Sequence, residues 1–289
     1  MKAKTIKKAL RSKTNDWLAS IEDEFVRKLA AQNCIVTGGA IASMLLQEPV
    51  NDYDIYFKTR EATEAVGRYY VERFKTATGH ELALNVDEDG RVRITTKNGY
   101  RGETQGDVTT LQDSGEIEDA YDDTEALALK DDSKPKYRPV FLSTNAITLS
   151  QKIQIILRFY GEPDAIHENY DFVHCTNYWQ AWDDELILRQ AALEALLSKE
   201  LRYVGSKYPV CSVMRLRKFI KRGWSVNAGQ ILKMMMQVSA LDLTNPKVLE
   251  DQLTGVDSAY FLQIMEKLAE KDPEKVNAAY LVEIIDRMF

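Results

Sequence analysis

The most informative part of the sequence begins with Val36-Thr37-Gly38-Gly39. The apolar segment 40–46 follows, and then Asn51-Asp52-Tyr53-Asp54-Ile55-Tyr56-Phe57. A short apolar run leads into a paired-glycine turn, an apolar helical segment follows, and a strand-like run then carries two aspartates two positions apart. Side chains alternate between the two faces of a strand, so Asp52 and Asp54 share one face. The stretch therefore predicts two neighbouring carboxylates close to a glycine turn.

Two carboxylates that a strand holds close together repel each other unless a cation lies between them. Oxygen-rich sites of this kind suit Mg²⁺ or Mn²⁺, which makes Asp52 and Asp54 candidate metal ligands. Gly38 and Gly39 allow positive φ angles and a close approach of the backbone, which a phosphate group lying against the turn requires. The pattern indicates a site that binds a metal ion and a phosphate group.

Gly38-Gly39 followed by Asp52-x-Asp54 resembles the signature of the polymerase β-type nucleotidyltransferases, in which about a dozen residues separate Gly-Gly from Asp-x-Asp. This resemblance implies an activity, the transfer of a nucleoside monophosphate from Mg-NTP to an acceptor. It also implies the nucleotidyltransferase fold, a mixed β-sheet with flanking helices. The alternative interpretation is a surface turn followed by an ordinary exposed strand.

Within this superfamily the sequence is similar to part of the motif of the tRNA nucleotidyltransferases. Gly38, Gly39, Leu45 and Leu46 match that motif, whereas Ala42, Ser43 and Gln47 stand where the family has Arg, Asp and Gly. The Glu-Asp-x-x-Arg motif with which that family reads bases has no convincing counterpart downstream. The resemblance therefore supports the catalytic superfamily but not CCA addition, and it points to a bacteriophage-type nucleotidyltransferase.

Asp171 lies in an apolar and aromatic run, residues 170–175, which predicts a strand. An unpaired carboxylate inside a sheet is costly, so this aspartate needs a partner. The resemblance implies a third metal-binding carboxylate on a strand next to the Asp-x-Asp strand, and Asp171 is the candidate for it. The alternative is a structural hydrogen-bonded pair. His174 is predicted to be a packed or hydrogen-bonded core residue and not a metal ligand.

The segment 199–222 contains eight basic residues and one acidic residue. Arg215, Lys218 and Arg222 recur at helical spacing on one face of a predicted helix, and Ser212 lies on that face one turn earlier. In related nucleotidyltransferases a helical region after the sheet supplies such side chains to the triphosphate, so the resemblance implies that these four residues bind nucleotide. The alternative is a solvated basic face.

The composition is that of a globular protein, with 45% hydrophobic and 28% charged residues among 289. The sequence has no run of about 18 apolar residues, and no apolar segment follows its basic start, so neither a membrane helix nor a secretory signal is predicted. Cys34, Cys175 and Cys211 are odd in number and widely spaced, which favours reduced thiols. These features predict a cytoplasmic protein, in the host cytoplasm if a phage encodes it.

We predict an α+β protein, with a nucleotidyltransferase-fold mixed β-sheet and flanking helices followed by an all-α C-terminal domain. Residues 1–13 are predicted as a basic N-terminal arm, residues 14–180 as the catalytic domain and residues 181–289 as the helical domain, because strand patterns end near residue 180. Segment 102–138 is acidic and poor in aliphatic residues, which predicts a surface insertion.

The predicted function is metal-dependent transfer of an NMP from an NTP to an acceptor hydroxyl, with the 3′ end of RNA as the first candidate acceptor. Asp52, Asp54 and Asp171 are expected to hold two Mg²⁺ ions. Two alternatives stay open: a catalytically inactive module that binds RNA or a partner protein, and an enzyme that modifies a protein hydroxyl as nucleotidylating toxins do. The sequence does not indicate the oligomeric state.

Overall fold

The computed structural model describes residues 1–79, 81–96, 135–243, 245, 248 and 252. The strands in this part of the chain are β1 (Cys34–Thr37), β2 (Tyr53–Phe57), β3 (Leu82–Val86), β4 (Val92–Thr96), β5 (Pro139–Leu142), β6 (Ala146–Leu149), β7 (Ile153–Tyr160), β8 (Tyr178–Gln180) and β9 (Glu185–Ile187). The helices described are α1 (Ala3–Ala19), α2 (Glu24–Asn33), α3 (Gly39–Leu46), α4 (Arg60–Thr78), α5 (Pro163–His167), α6 (Gln190–Ser198), α7 (Pro209–Lys221) and α8 (Ala228–Ser239), with a 3-10 helix at Val173–Cys175.

Seven of these strands form one sheet in the order β5-β6-β7-β2-β1-β8-β9, and β3 and β4 form a separate hairpin. Strand β2 is parallel to β7 and antiparallel to β1, and the other neighbours in the sheet are antiparallel. The hairpin over residues 82–86 and 91–96 agrees with the one that the turn residues predict. The mixed sheet with flanking helices confirms the predicted α+β class.

The sheet buries one face against α1, α2 and α4. Val36 of β1 and Ile55 of β2 are 1% exposed on this face, and they share a core with Trp17 of α1 and Tyr70 of α4. The Trp17 indole N–H donates to the Tyr70 hydroxyl at 2.8 Å, so the polar atoms of these two buried rings satisfy each other. Because side chains alternate along a strand, Asp54 lies on the opposite face of β2.

Residues 3–13 of the segment that we predicted as a basic N-terminal arm belong to helix α1. Ile6 and Leu10 are fully buried and lie four residues apart, so the basic segment has an apolar face in addition to its charged one. Arg11, on the charged side, forms an ion pair with Asp184, and the Asp184 carboxylate also accepts from the Trp179 indole N–H at 3.0 Å. The first residues are therefore part of the packed fold.

Strands continue further than predicted, because β9 pairs with β8 at the edge of the sheet. The turn between them has Asp184 at φ 57°, and the Asp183 carboxylate accepts from the backbone N–H of Glu185 at 3.0 Å. Three described helices follow, and α6 begins at Gln190. The prediction that strand patterns end near residue 180 is wrong because β9 follows it, while the division into a catalytic and a helical domain stays a prediction.

Two predicted segments fall largely outside the described part of the chain. The acidic insertion over residues 102–138 is one of them, since the description resumes at residue 135. The other is the part of the predicted helical domain from residue 253 onward. Among the helices that the structure does describe, none is both long and apolar enough to cross a membrane.

Candidate active site

Asp54 occupies the centre of the sheet, between β1 and β7. It lies opposite Thr37 of β1, and on the parallel side it is in register with Gln154 of β7. Asp52 precedes the first residue of β2, and both aspartates are partly buried. The two register positions beside Asp54 therefore carry hydroxyl and amide side chains, so the third carboxylate that we predicted on a neighbouring strand is not found at either position.

Gly38 lies between β1 and α3, close to the side chain of Asp54. Its backbone has φ 93° and ψ −149°, which only glycine adopts readily. A Cβ atom at Gly38 would lie 2.7 Å from Oδ2 of Asp54, whereas a Cβ atom at Gly39 would meet no atom within 4 Å. The glycine pair thus has two distinct parts, because Gly38 makes room for the carboxylate and Gly39 begins α3 in open space.

The charge on Asp54 is unfavourable in the protein as described. Burial and the neighbouring charge of Asp52 raise the pKa of Asp54 well above its usual value, and the positive charge of Arg215 opposes this shift. A cation close to both aspartates would offset the desolvation and the repulsion together. The electrostatics of the pair therefore favour occupation by a positive ligand.

The residues present fit a divalent cation held by Asp52 and Asp54. Carboxylate oxygens are the ligands that Mg²⁺ and Mn²⁺ prefer, and Gly38 lacks the Cβ atom that would lie 2.7 Å from Oδ2 of Asp54. Within the described ranges, no three His, Cys, Asp or Glu side chains converge closely enough to hold a metal. Among these residues the trio that we predicted with Asp171 is not assembled, and Asp52 and Asp54 remain the candidate metal ligands.

Asp171 does not lie on a strand, which corrects the prediction for residues 170–175. Phe172 forms an isolated bridge with Tyr203, and the chain then turns into the 3-10 helix. Thr176 stabilises this turn because its N–H and its hydroxyl both donate to the Val173 carbonyl, at 3.1 and 2.7 Å. The apolar and β-branched composition resembles a strand, but hydrogen bonds within the segment close a turn instead.

The Asp171 carboxylate forms an ion pair with Arg215 of α7. Burial is the largest single influence on Arg215 and opposes its charge, but the attractions of Asp171, Cys211 and Tyr56 together outweigh it and raise the pKa of the guanidinium. The structural pair that the sequence left open as an alternative is therefore present. Arg215, which we predicted to bind nucleotide, is paired with Asp171 and also acts on the charge of Asp54.

The other predicted nucleotide-binding residues of α7 have different surroundings. Lys218 is exposed, and so is Arg222 at the C-terminal end of the helix. Ser212 is fully buried, and its hydroxyl donates to the Tyr208 carbonyl at 3.4 Å. The side chains of Lys218 and Arg222 are accessible to a ligand. Ser212 was predicted to bind nucleotide, but its burial disfavours that role.

Three residues near the aspartates were not predicted as part of the site. Tyr56 follows Asp54 on the same face of β2, and Tyr170 packs against it with 6.1 Å between the ring centroids. The Cys175 thiol is the third, since burial and then the charges of Asp171 and Asp54 raise its pKa. Strand alternation would have identified Tyr56, whereas the other two are brought close by tertiary structure alone.

His167 forms a hydrogen bond with Thr37, the last residue of β1 before the glycine turn. Its Nε2 atom lies 2.8 Å from Oγ1 of Thr37, and the Thr37 hydroxyl donates to the Asn177 carbonyl at 2.9 Å. The hydroxyl therefore accepts from His167, which places the imidazole proton on Nε2. The Nδ1 atom is buried and lacks a hydrogen-bond partner in the described structure, in agreement with this neutral tautomer.

His174 is the core residue that the sequence predicted, 1% exposed and packed against Phe219 and Trp224. Burial lowers the pKa of both His174 and His167 from 6.5 to about 4. The unfolded chain therefore binds more protons between pH 6.5 and 4. The stability that the neutral histidines contribute is full above pH 6.5 and is lost as the pH falls through this range.

We expect the free energy of unfolding to decrease between pH 7 and pH 4, by on the order of 3 kcal/mol for each histidine. Asp54 acts in the opposite direction because its pKa is raised, so the measurement is best made in an Asp54→Asn background. Urea unfolding at several pH values would show the loss, and His167→Gln or His174→Gln should flatten the profile. A pH-independent profile in the parent variant would contradict the assignment.

The fold and the site define an α+β protein whose mixed sheet presents a carboxylate pair beside a glycine turn. A model of the Gabija anti-defense 2 family matches residues 8–199, which is more than half of the chain. The protein therefore belongs to the Gabija anti-defense 2 family.

One relative is the Gabija anti-defense 2 protein of Bacillus phage SPbetaL7, which is 18% identical over 260 residues. The match covers 89% of this chain and 50% of the relative, so the chain spans about half the length of that protein. The phage source of this relative agrees with the predicted phage-type protein.

Two solved structures of CCA-adding enzymes are also similar to this chain. The Thermotoga maritima enzyme complexed with tRNA is 14% identical, with a TM-score of 0.39 and coverage of 89% of this chain and 53% of that one. The Bacillus stearothermophilus enzyme in complex with CTP is 12% identical, with a TM-score of 0.38 and coverage of 85% and 50%. Scores of this size are too low to support a functional argument.

Proposed function

We propose that the protein is a metal-dependent nucleotidyltransferase that moves an NMP from an NTP to an acceptor hydroxyl, and that this transfer serves an anti-defence role in the host cytoplasm. The observation that carries the proposal is the carboxylate pair of Asp52 and Asp54 against the Gly38 turn. Such a pair is costly to an unliganded fold and suited to holding a cation with its phosphate ligand.

Each part of the site has a separate role in this proposal. Asp52 and Asp54 would hold a divalent cation, which would lower the pKa of the acceptor hydroxyl and neutralise charge on the α-phosphate. The acceptor oxygen would lose its proton to solvent and bond to the α-phosphorus as the bond to the leaving pyrophosphate breaks. The backbone of Gly38 and Gly39 leads into the N-terminus of α3, where N–H groups and the helix dipole favour a phosphate. Arg215 adds a positive charge that acts on the same carboxylates.

The acceptor that we propose is the 3′ hydroxyl of an RNA. The net charge of −6 is unfavourable for binding RNA along the whole surface, so contact is expected at a local basic patch. Lys221 and Arg222 are exposed at the C-terminal end of α7 and provide such a patch in the part of the chain that contains Arg215. The experiment must distinguish transfer to this RNA hydroxyl from transfer to a hydroxyl on a protein.

The test is to incubate the pure protein with each α-labelled NTP, Mg²⁺ and a host lysate, and then to separate RNA from protein. Label that moves to RNA supports the proposal, and Asp54→Asn is the control that should leave RNA unlabelled. Label that moves to protein would show that the acceptor is a protein hydroxyl and that the nucleotidyl transfer itself takes place. Absence of transfer from all of the NTPs would reject the enzyme and favour the non-catalytic binding module.

Lys218→Ala is expected to weaken binding of an NTP by about tenfold, because a charge-assisted contact to phosphate contributes about 1.5 to 3 kcal/mol. Folding should be unaffected, since the side chain is exposed. Calorimetric titration with a non-hydrolysable NTP measures the affinity. Arg217→Ala is the matched control, because Arg217 is also exposed on α7 but lies on another face of the helix. If both variants bind the NTP with equal affinity, Lys218 does not contact the nucleotide and is only a solvated surface residue.

A further inference from the structure

Asp171 and Phe172 contact two side chains that lie one turn apart on α7. The Asp171 carboxylate forms the ion pair with Arg215, and the Phe172 ring packs edge-on against Phe219 with 5.6 Å between centroids. Arg215 and Phe219 are four residues apart and so share one face of the helix. The two contacts therefore fix both the position of α7 and its rotation about its own axis.

The segment that carries Asp171 is itself held in place from two sides. The Asp171 carbonyl accepts from the N–H of Val204 at 2.9 Å, and the Cys175 carbonyl accepts from the N–H of Gly38 at 3.1 Å. The second hydrogen bond joins this segment directly to the glycine turn beside Asp54. The position of the Asp171 carboxylate is thus defined relative to the candidate metal site.

The two partners of the ion pair differ in accessibility. The Asp171 side chain is 13% exposed, whereas the Arg215 side chain is 42% exposed. A bound molecule can therefore reach Arg215 more easily than it can reach Asp171.

An aspartate in this arrangement is poorly suited to bind a metal. Its charge is already compensated by the guanidinium, and its carboxylate accepts a charge-assisted hydrogen bond from Nη1 of Arg215. Ligation by Asp171 would require this pair to break, which leaves the arginine partly buried without its counterion. The same pair is well suited to hold a long, flexible side chain in one orientation.

We propose that Asp171 is a positioning residue and not a third metal ligand: it holds Arg215 where the guanidinium meets the triphosphate of a nucleotide whose cation is bound by Asp52 and Asp54. This inference rests on the proposed function and specifies its substrate site. It predicts that Asp171 acts on nucleotide binding through Arg215 alone.

Binding of Mn²⁺ without nucleotide distinguishes the two roles of Asp171. Removing the carboxylate alone would change the net charge around Arg215 and Asp54, so the informative variant is the double substitution Asp171→Asn with Arg215→Ala, which removes both charges. We expect this variant to bind Mn²⁺ within about threefold of wild type, measured by electron paramagnetic resonance of free Mn²⁺. A loss of tenfold or more, as for a removed metal ligand, would overturn the proposal.

A double-mutant cycle on nucleotide affinity tests the coupling between the two residues. Asp171→Asn and Arg215→Ala should each weaken a non-hydrolysable ATP analogue by about tenfold, and the double variant should be no weaker than Arg215→Ala alone. Independent effects that multiply would contradict the proposal. Arg217→Ala is the control on the same helix and should bind as wild type does. Ligand-free melting of every variant detects effects that come from misfolding.

Failure of this inference can be separated from failure of the proposed function. If wild type binds Mn²⁺ and the ATP analogue but the double variant loses Mn²⁺ or the cycle is additive, the inference alone is wrong. If wild type binds neither probe, the proposed function and the inference fail together.

Discussion

Asp54→Asn is expected to abolish nucleotidyl transfer, lowering the turnover rate by about 1,000-fold or more, which corresponds to about 4 kcal/mol in the transition state. Asparagine keeps the shape of the side chain but removes the negative charge that holds the cation. Asp52→Asn should have the same effect because the two carboxylates act as one ligand set. The assay is transfer of α-labelled NMP under the conditions that label the acceptor with wild-type protein.

Stability should change in the opposite direction to activity. Burial and the charge of Asp52 raise the pKa of Asp54, so ionised Asp54 destabilises the metal-free fold and this cost is present above the raised pKa. An asparagine removes it, and the melting temperature of the metal-free variant should equal or exceed that of wild type. Asp89→Asn is the matched control, because Asp89 is an exposed aspartate in the β3–β4 turn and should change neither property.

Melting with and without ligand provides the decisive comparison. Excess Mg²⁺ and a non-hydrolysable NTP should stabilise wild type by about 2.7 kcal/mol at a hundredfold excess over the dissociation constant, and should leave Asp54→Asn almost unchanged. Wild-type melting that does not respond to metal and nucleotide would reject the catalytic proposal. The binding-module alternative would then be preferred.

Gly38→Ala is expected to destabilise the protein by about 2 to 4 kcal/mol and to weaken Mn²⁺ binding in the fraction that folds. Two effects add, since alanine is strained at φ 93° and its Cβ atom would lie 2.7 Å from Oδ2 of Asp54. The carboxylate must then move away from its position. Urea unfolding measures the stability, and titration with Mn²⁺ measures the affinity.

Gly39→Ala is the matched control for stability. No atom lies within 4 Å of a Cβ at Gly39, and the residue begins helix α3. Alanine should therefore leave the free energy of unfolding unchanged or raise it by less than about 1 kcal/mol. If Gly38→Ala unfolds at the same urea concentration as Gly39→Ala, the close contact between Gly38 and Asp54 is not present in solution.

Local patterns predicted the elements that depend on local physics. Alternation and turn residues predicted the glycine turn, the strand with Asp54 and the hairpin. The structure contains all three, although β2 begins one residue after Asp52 and the second hairpin strand begins at Val92. These features could be predicted because side-chain direction in a strand and positive φ at glycine follow from the chain itself.

The errors occurred where long-range contacts outweigh local preference. Residues 170–175 have the composition of a strand, yet Phe172 forms an isolated bridge and Thr176 helps to close a turn. Helix α1 begins among lysines that suggested an arm, because Ile6 and Leu10 have a core to enter. Neither outcome is visible without the elements that pack against these segments.

A carboxylate pair close to a glycine turn could be predicted from residues that are neighbours in the chain. The partner of Asp171, the burial of Ser212 and the position of His167 beside Thr37, which is 130 residues away in the chain, depend on the folded structure. The physical reason is that the charge and accessibility of a side chain depend on the groups that folding brings around it, and those groups here come from distant segments.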